Sequence, residues 1–276
     1  LEADAVLLSS QAHREHDLFL RAFVRGHGVL GFHVSGGRGS KRRDAGALQP
    51  FVLGRLRADI RGILRSVEPI AAMHRSRLAR DPLRFYSANL LAELYLPIPV
   101  DPSNDRVFDE LWEDMYALHL REDAPDTSFL VKAISRVLRT AGVLPDPNYC
   151  ARCGCGLIRA HVGSQGFRCE ACASGSQEEG GDWRSPGWSA SALALLRAET
   201  LTSPMIMTSP ATAEGATTSE CAPPTSNVAD LLRLAETLFS REPRSWKGLA
   251  ALLGRRDRPH AASGSGLGKV AGGAAS

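Results

Sequence analysis

The sequence predicts an α+β protein in which a small N-terminal β-barrel is followed by an α-helical domain that carries a zinc ribbon. Three observations predict this order. Short apolar runs alternate with Gly-rich turns in residues 1–70, apolar residues recur at helical spacing after Pro69, and two Cys-x-x-Cys pairs lie in residues 150–172. The 276 residues, 43% of them apolar and 23% charged, are typical of globular domains with real cores.

Five apolar runs in residues 1–70 predict the strands of the barrel. No helical pattern separates them, and a small barrel is the usual solution for such a series. The stretch between the third and fourth runs, SGGRGSKRRDAGALQP, is too rich in glycine and charge for either periodicity, so we expect an exposed loop. The five runs are AVLLSS, DLFLRAFVRGHG, VLGFHVSGG, FVLGRLRADI and GILRSVEPI.

Helical periodicity organises the rest of the chain. Residues 71–148 contain three amphipathic segments joined by Pro-containing turns, which predicts three antiparallel helices. The ribbon is expected at 149–175, and the second part of the helical domain at 176–255. A Ser/Thr/Pro-rich insertion at 200–226 interrupts that part, and the Gly/Ala-rich tail at 256–276 is expected to be disordered.

The cysteines indicate a metal site. Two residues between cysteines let both sulfurs point at one centre, and two such turns joined by a hairpin supply the four thiolates that Zn²⁺ binds tetrahedrally. No export signal precedes the cluster, which favours metal over disulfides and a cytoplasmic setting. The predicted ligands are Cys150, Cys153, Cys169 and Cys172.

Three alternatives at this cluster stay open. Cys155 could replace one of the four ligands, His161 could bind the metal, and the cysteines could form two disulfides. We expect a structural metal, because four thiolates leave no open coordination position for catalysis. The sequence also lacks the His-x-Glu of zinc deaminases and the HExxH of zinc proteases. We therefore expect no enzymatic activity.

The charge distribution suggests a polyanion partner for the front of the chain. Residues 1–80 hold fourteen Lys and Arg against seven Asp and Glu, whereas residues 81–149 hold six against twelve. A loop rich in Gly and Arg can lay backbone N–H groups and cations along phosphates, and His27, Phe32 and His33 could stack on bases. The alternative is an ordinary solvated face. The candidate DNA-binding cations are Arg21, Arg25, Arg38, Lys41, Arg42, Arg43, Arg55 and Arg57.

A dinucleotide site is disfavoured at the same place. GHGVLG, residues 26–31, fits the G-x-G-x-x-G pattern, but the following residues continue as a strand rather than open a helix.

These motifs together resemble the bacterial recombination mediator family RecO. The resemblance lies in the opening strand that leads to HREHD, in FVRGHGVLGFHVSGGRGSKRR, in ALQPFVLGRLR and in ILRSVEPI. It covers most of residues 1–198 and resumes at NVADLLRLAETLFSREPRSWKGL. The insertion, the tail and Cys155 depart from the family pattern.

The resemblance implies an N-terminal OB-fold β-barrel and a role in RecF-pathway DNA repair. It implies binding of single- and double-stranded DNA, annealing of complementary strands, and loading of RecA with a RecR partner on DNA coated by the single-strand-binding protein SSB. It also implies a groove in the helical domain for the acidic SSB tail. Lys132, Arg136 and Arg139 share one helical face and are candidates for that contact, with a solvated stripe as the alternative. A nucleoid-associated, cytoplasmic protein without a membrane anchor is expected.

Two rival functions remain at this stage. An RNA-binding or ribosome-associated zinc-ribbon protein would share the basic barrel and the ribbon, but it would prefer RNA in competition assays. An enzyme that uses the zinc would need an open metal site, which cobalt substitution would reveal.

Overall fold

Five antiparallel strands form the N-terminal part of the chain in the computed structural model, which describes residues 1–38, 45–59, 61–98, 105–163, 166–174, 187–201, 225–235 and 243–256. The strand order in the sheet is β3-β2-β1-β4-β5. The strands are β1 (Glu2–His13), β2 (Asp17–Val24), β3 (Gly28–Val34), β4 (Leu53–Ala58) and β5 (Leu64–Pro69).

The sheet closes on itself through its two edge strands. His33 of β3 and Ile63, just before β5, form a parallel bridge, and the His33 N–H donates to the Gly62 carbonyl at 2.9 Å. Gly62 has φ +73°, a backbone conformation that favours glycine over other residues. A five-stranded barrel in which the third and fifth strands meet is the arrangement of the OB-fold. The predicted N-terminal β-barrel is therefore confirmed.

The barrel interior follows from the period-two pattern of its strands. Leu20, Phe32 and Leu56 point inward and are almost inaccessible to solvent. The opposite faces of β1 and β4 carry Val6 and Leu53, which belong to a different cluster. Both faces of the central strands are thus covered, one by the barrel core and the other by the helices.

Seven helices are described after the barrel. Asp81 begins the first of them as an N-cap, since its carboxylate accepts hydrogen bonds from the backbone N–H groups of Leu83 and Arg84. Asp126 caps the third in the same way, by accepting from the Phe129 N–H at 2.8 Å. The helices are α1 (Pro82–Tyr95), α2 (Asp105–Leu120), α3 (Thr127–Thr140), α4 (Glu170–Ser174), α5 (Ala190–Leu201), α6 (Thr225–Ala235) and α7 (Arg244–Arg256).

Barrel and helices share one hydrophobic core. Phe23 of β2 packs edge-to-face on Phe108 of α2, with the ring centroids 5.7 Å apart, and Phe51 packs in the same way on Phe85 of α1. Burial of this much apolar area is the main term that holds the two parts in one arrangement.

Most predicted elements are present, with two differences. The hairpin expected between the two cysteine turns is short, because β6 covers only His161–Gly163 and pairs with β7 (Gly166–Arg168). The helix α7 begins at Arg244 as a separate element, which the periodicity did not single out. The central part of the predicted insertion (202–224) and the predicted tail from 257 lie outside the described residues. Within the described ranges, every helix is too short or too polar to cross a bilayer.

Candidate nucleic-acid interface and metal centre

The four predicted ligand sulfurs converge on one point. The Sγ atoms of Cys150, Cys153, Cys169 and Cys172 all lie within 4.8 Å of one another, and Cys153 Sγ is 3.8 Å from Cys169 Sγ. Four Zn–S bonds of about 2.3 Å in a tetrahedron place neighbouring sulfurs about 3.8 Å apart. The donor set and its spacing therefore fit a zinc ion.

The backbone around the first cysteine pair prepares the sulfurs for a cation. Burial of the Cys150 thiol opposes its ionisation, but backbone N–H groups of Cys153, Cys169 and Arg152 outweigh burial and lower the Cys150 pKa to about 6. The Cys169 N–H lies 3.4 Å from Cys150 Sγ. These amides stabilise a thiolate, which is the protonation state that binds a metal.

The two alternative ligands differ in position from the four. Cys155 is exposed and lies outside the converging set, but its thiol hydrogen-bonds to Cys153 and Cys169, and these contacts raise its pKa to about 12. His161 also lies outside the set. Its Nδ1 is buried and has no hydrogen-bond partner among the residues that the structure describes, and its ring packs 3.3 Å from the position that a Cβ at Gly187 would take.

The ribbon is fixed to the helical domain from two sides. The Arg197 guanidinium of α5 donates to the carbonyls of Pro147 and Leu157, at 3.0 and 2.6 Å. Trp188 exchanges two backbone hydrogen bonds with Ala160, and its indole N–H donates to Asp230 of α6 at 3.0 Å. A metal bound by the four sulfurs would therefore brace the connection between the ribbon, α5 and α6.

Two of the predicted DNA-binding cations are paired with acids. Arg55 and Arg57 of β4 both contact Glu2 of β1, at 3.0 and 3.2 Å, and Arg57 also lies 3.4 Å from Glu68 of β5. The hydrogen bond from Arg57 holds the pKa of Glu2 below its usual value. Both cations are therefore paired on this face of the barrel, because a carboxylate occupies the register position opposite each arginine. DNA binding by Arg55 and Arg57 stays a prediction.

Two other predicted cations join the barrel to the helices. The Arg21 guanidinium donates to the Leu96 carbonyl at 3.2 Å. Arg25 forms an ion pair with Asp109 of α2, and its guanidinium carbon lies 4.6 Å from the centroid of the Phe108 ring. Both side chains thus make contacts within the protein, and DNA binding by Arg21 and Arg25 stays a prediction.

Two more cations of the barrel, Arg14 and Arg38, lie at one end of it, which we call the barrel tip. It comprises the β1–β2 turn, residues 13–16, together with Arg38. The Arg38 N–H donates to the His16 carbonyl at 3.0 Å, which holds the start of the basic loop against the turn. Arg14, at φ 57°, has no ion-pair partner among the described residues. Lys41, Arg42 and Arg43 follow directly along the chain but lie outside the described residues.

An aromatic platform that sequence reasoning missed lies beside the barrel tip. Phe19 of β2 is 39% exposed, and its ring lies over Gly31 of β3, where an added Cβ would meet Phe19 Cζ at 2.6 Å. His33 is directly opposite Phe19 in the ladder and contacts Asp17 at 3.1 Å. The signal in the sequence was Gly31, which lies diagonally across the ladder from Phe19 and leaves room for its ring. Phe32, which we expected to stack on bases, is instead buried in the barrel interior. Side chains alternate between the two faces of β3, and Phe32 lies on the inner face.

Of the three residues expected to contact an acidic tail, two form ion pairs within the protein. Arg136 and Arg139 of α3 contact Asp114 and Glu110 of α2 at 2.8 and 2.7 Å, whereas the Lys132 ammonium meets no ion-pair partner within the described ranges. An open apolar groove lies instead on the outer side of α2. It is lined by Trp112, Glu113, Tyr116, Ala117, Leu120 and Arg121.

Comparison with known proteins gives the same family for both halves of the chain. The profile described as "Recombination protein O N terminal" matches residues 1–72, and that described as "Recombination protein O C terminal" matches residues 79–200. The chain is similar to proteins named "DNA repair protein RecO" from three bacteria. For Anaeromyxobacter dehalogenans the identity is 30% over 184 residues, covering 62% of this chain and 69% of the relative. For Myxococcus xanthus it is 32% over 189 residues, covering 63% and 73%. For Anaeromyxobacter sp. (strain Fw109-5) it is 31% over 216 residues, covering 73% and 80%.

Proposed function

The chain belongs to the RecO family of DNA repair proteins, and we propose that it binds single- and double-stranded DNA at the barrel tip and anneals complementary strands. The observation that carries this proposal is the separation of charges on the barrel. Acids neutralise the cations on the β1–β4–β5 face, whereas Arg14 and Arg38 lie at the tip next to the exposed Phe19.

The barrel tip offers the two interactions that single-stranded nucleic acid needs. Cations there release the counterions of the phosphates, and Lys41, Arg42 and Arg43 follow Arg38 in the sequence. Phe19 offers a flat face for a base, a contact that does not depend on sequence. An OB-fold places such groups on its strands 2 and 3, which are the strands that carry Phe19 and His33.

Annealing follows from charge neutralisation. Two complementary strands repel each other through their phosphates, and a cationic surface that holds them lowers that repulsion. The test is annealing of complementary oligonucleotides, bare and coated with SSB, with this protein as the sole addition. We expect annealing that weakens as salt rises, and Arg14→Ala/Arg38→Ala should slow it. Failure of the wild-type protein to anneal at low ionic strength would falsify the proposal.

The matched control removes the same number of positive charges from a part of the chain away from the barrel tip. Arg152→Ala/Arg159→Ala removes two exposed cations from the ribbon, and annealing should be unchanged. Competition between DNA and RNA of the same sequence separates this function from that of an RNA-binding zinc-ribbon protein.

Family membership further supports a mediator role with protein partners. We propose that the chain acts with RecR to load RecA onto SSB-coated DNA. We propose that the groove on α2 receives the acidic tail of SSB, with Arg121, which lines the groove, as the cation there, since Arg136 and Arg139 are already paired. Tyr116→Ala should weaken binding of an SSB tail peptide, whereas Arg55→Ala, on the barrel, should not.

None of these roles needs bond chemistry, and we propose that the protein is not an enzyme and that its metal is structural. Four thiolates would complete the coordination of a zinc ion and leave no position for a substrate.

A further inference from the structure

The segment that joins the barrel to the helices is rich in basic residues. This connector, residues 70–81, contains His74, Arg75, Arg77 and Arg80, and Asp81 is its only acid. We propose that the connector is a second DNA-strand surface, so that one chain holds two strands at once. This inference rests on the proposed function at the barrel tip and adds to it a separate binding site.

The connector cations are open to solvent. His74, Arg75 and Arg80 are exposed, and their side chains have no ion-pair partner among the described residues. Arg77 lies 3.5 Å from Glu122, whose side chain is 89% exposed, and such a surface pair contributes little and yields readily to a phosphate. Asp81 does not neutralise them, because its carboxylate is engaged with Arg84 and with the first turn of α1.

The backbone beneath these cations is held in place at both ends. The Ile70 N–H donates to the Leu53 carbonyl at 3.0 Å, and the Arg77 N–H donates to the His119 carbonyl at 2.9 Å. Leu78, between two of the arginines, is buried in the shared core. A backbone that is already ordered loses less entropy on binding, so the three guanidinium groups can act together on neighbouring phosphates.

An exposed aromatic ring accompanies the cations, as it does at the barrel tip. Phe85 lies in the first turns of α1, directly after the connector, and is 44% exposed. One side of the ring packs edge-to-face on Phe51 with the centroids 5.9 Å apart, which holds it in one orientation. The remaining exposed part is available to a base, so the connector combines cations and stacking as single-strand sites do.

The connector begins at a different level of the barrel from the tip. Ile70 begins it beside Leu53, which pairs with Val6 of β1, whereas the tip begins at His13. Seven residues of strand separate these levels by about 23 Å. This exceeds the Debye length of about 8 Å at physiological salt, so charges at these two levels of the barrel are largely screened from each other. Two strands on one chain would also raise their effective concentration for pairing.

The test counts how many short oligonucleotides one chain binds. Titration with a ten-residue thymidine oligonucleotide, which cannot pair with itself, should give two per chain for the full-length protein at low ionic strength. Arg75→Ala/Arg77→Ala/Arg80→Ala should bind one per chain and should anneal complementary strands at least tenfold more slowly. Arg14→Ala/Arg38→Ala should also bind one.

Two further variants control for misfolding and for the loss of positive charge. Arg75→Ala/Arg80→Ala touches no ion pair among the described residues, so it keeps the test open if Arg77→Ala disturbs folding. Arg152→Ala/Arg159→Ala/Arg244→Ala removes the same charge from exposed positions elsewhere and should still bind two.

The remaining outcomes are distinguishable. The second surface would be overturned if the wild-type chain bound one oligonucleotide or if the connector variant still bound two. It would also be overturned if neither the tip variant nor the connector variant bound any, or if the control variant bound fewer than two. No binding at all by the wild-type chain would instead overturn the proposed function.

Discussion

His119 Nε2 of α2 lies 2.7 Å from the carbonyl oxygen of Phe51 in the barrel, and this buried hydrogen bond ties the two parts of the protein together. A carbonyl can only accept, so Nε2 carries the proton, and Nδ1 accepts from the Ser76 hydroxyl at 2.7 Å. Phe51 has φ +71°, which is uncommon for a residue with a side chain. The bond therefore helps to hold a backbone conformation that Phe51 would not favour by itself.

Replacing His119 should destabilise the protein. His119→Ala leaves the buried Phe51 carbonyl and the half-buried Ser76 hydroxyl without this partner, and we expect a loss of about 3 kcal/mol in the free energy of unfolding. Urea denaturation measures it. His74→Ala, an exposed histidine of the connector, is the control and should change the free energy by less than about 0.5 kcal/mol. Equal effects of the two substitutions would contradict the role of this bond.

The same histidine should make stability depend on pH. Burial lowers the pKa of His119 from 6.5, although the hydrogen bond to the Phe51 carbonyl partly opposes this. Below about pH 6.5 the unfolded chain then binds a proton that the folded chain resists, so stability falls as pH decreases. The fall in Tm between pH 7.5 and 5.5 should be smaller in His119→Ala than in the wild type. An identical pH dependence would show that His119 titrates alike in both states.

Charge pairing on the barrel predicts unequal contributions to DNA affinity. Arg55→Ala/Arg57→Ala removes cations that already share Glu2, so the salt slope of single-strand binding should fall by less than about one. Lys41→Ala/Arg42→Ala/Arg43→Ala should lower it by up to about two, at about 0.7 per phosphate contact. Binding isotherms at four salt concentrations measure both slopes. A larger change for the Arg55 and Arg57 pair would show that the paired face contacts DNA.

Sequence patterns predicted the barrel, the first three helices and the sulfur cluster because each depends on local spacing. The period of two in β2 and the Cys-x-x-Cys turns leave little freedom. The partners of Arg25 and Arg136 were not predictable, since Asp109 and Asp114 are 84 and 22 residues away in the chain. A count of charges in a segment cannot show which cations are already neutralised across the fold.

The metal site predicts opposite behaviour for two neighbouring cysteines. Cys169→Ser removes one of the four converging sulfurs and should lose the zinc and lower the stability of the helical part, because the ribbon bears on α5 and α6. Cys155→Ser should keep one zinc per chain. Metal analysis and thermal denaturation of both variants decide this, and cobalt substitution should give a tetrathiolate spectrum. Zinc loss in both variants would make Cys155 a ligand.

The position of Phe19 over Gly31 predicts a contribution to DNA binding that salt does not change. Phe19→Ala should weaken single-strand binding about tenfold, as expected for the loss of one stacked base, and leave the salt slope unaltered because no charge is removed. Phe19→Trp should retain the affinity, since it preserves a flat ring at the same place. Gly31→Val should mimic Phe19→Ala without touching Phe19, because its side chain would occupy the space in which the ring lies. Full affinity in Phe19→Ala, or an equal loss in Phe19→Trp, would exclude stacking at this position.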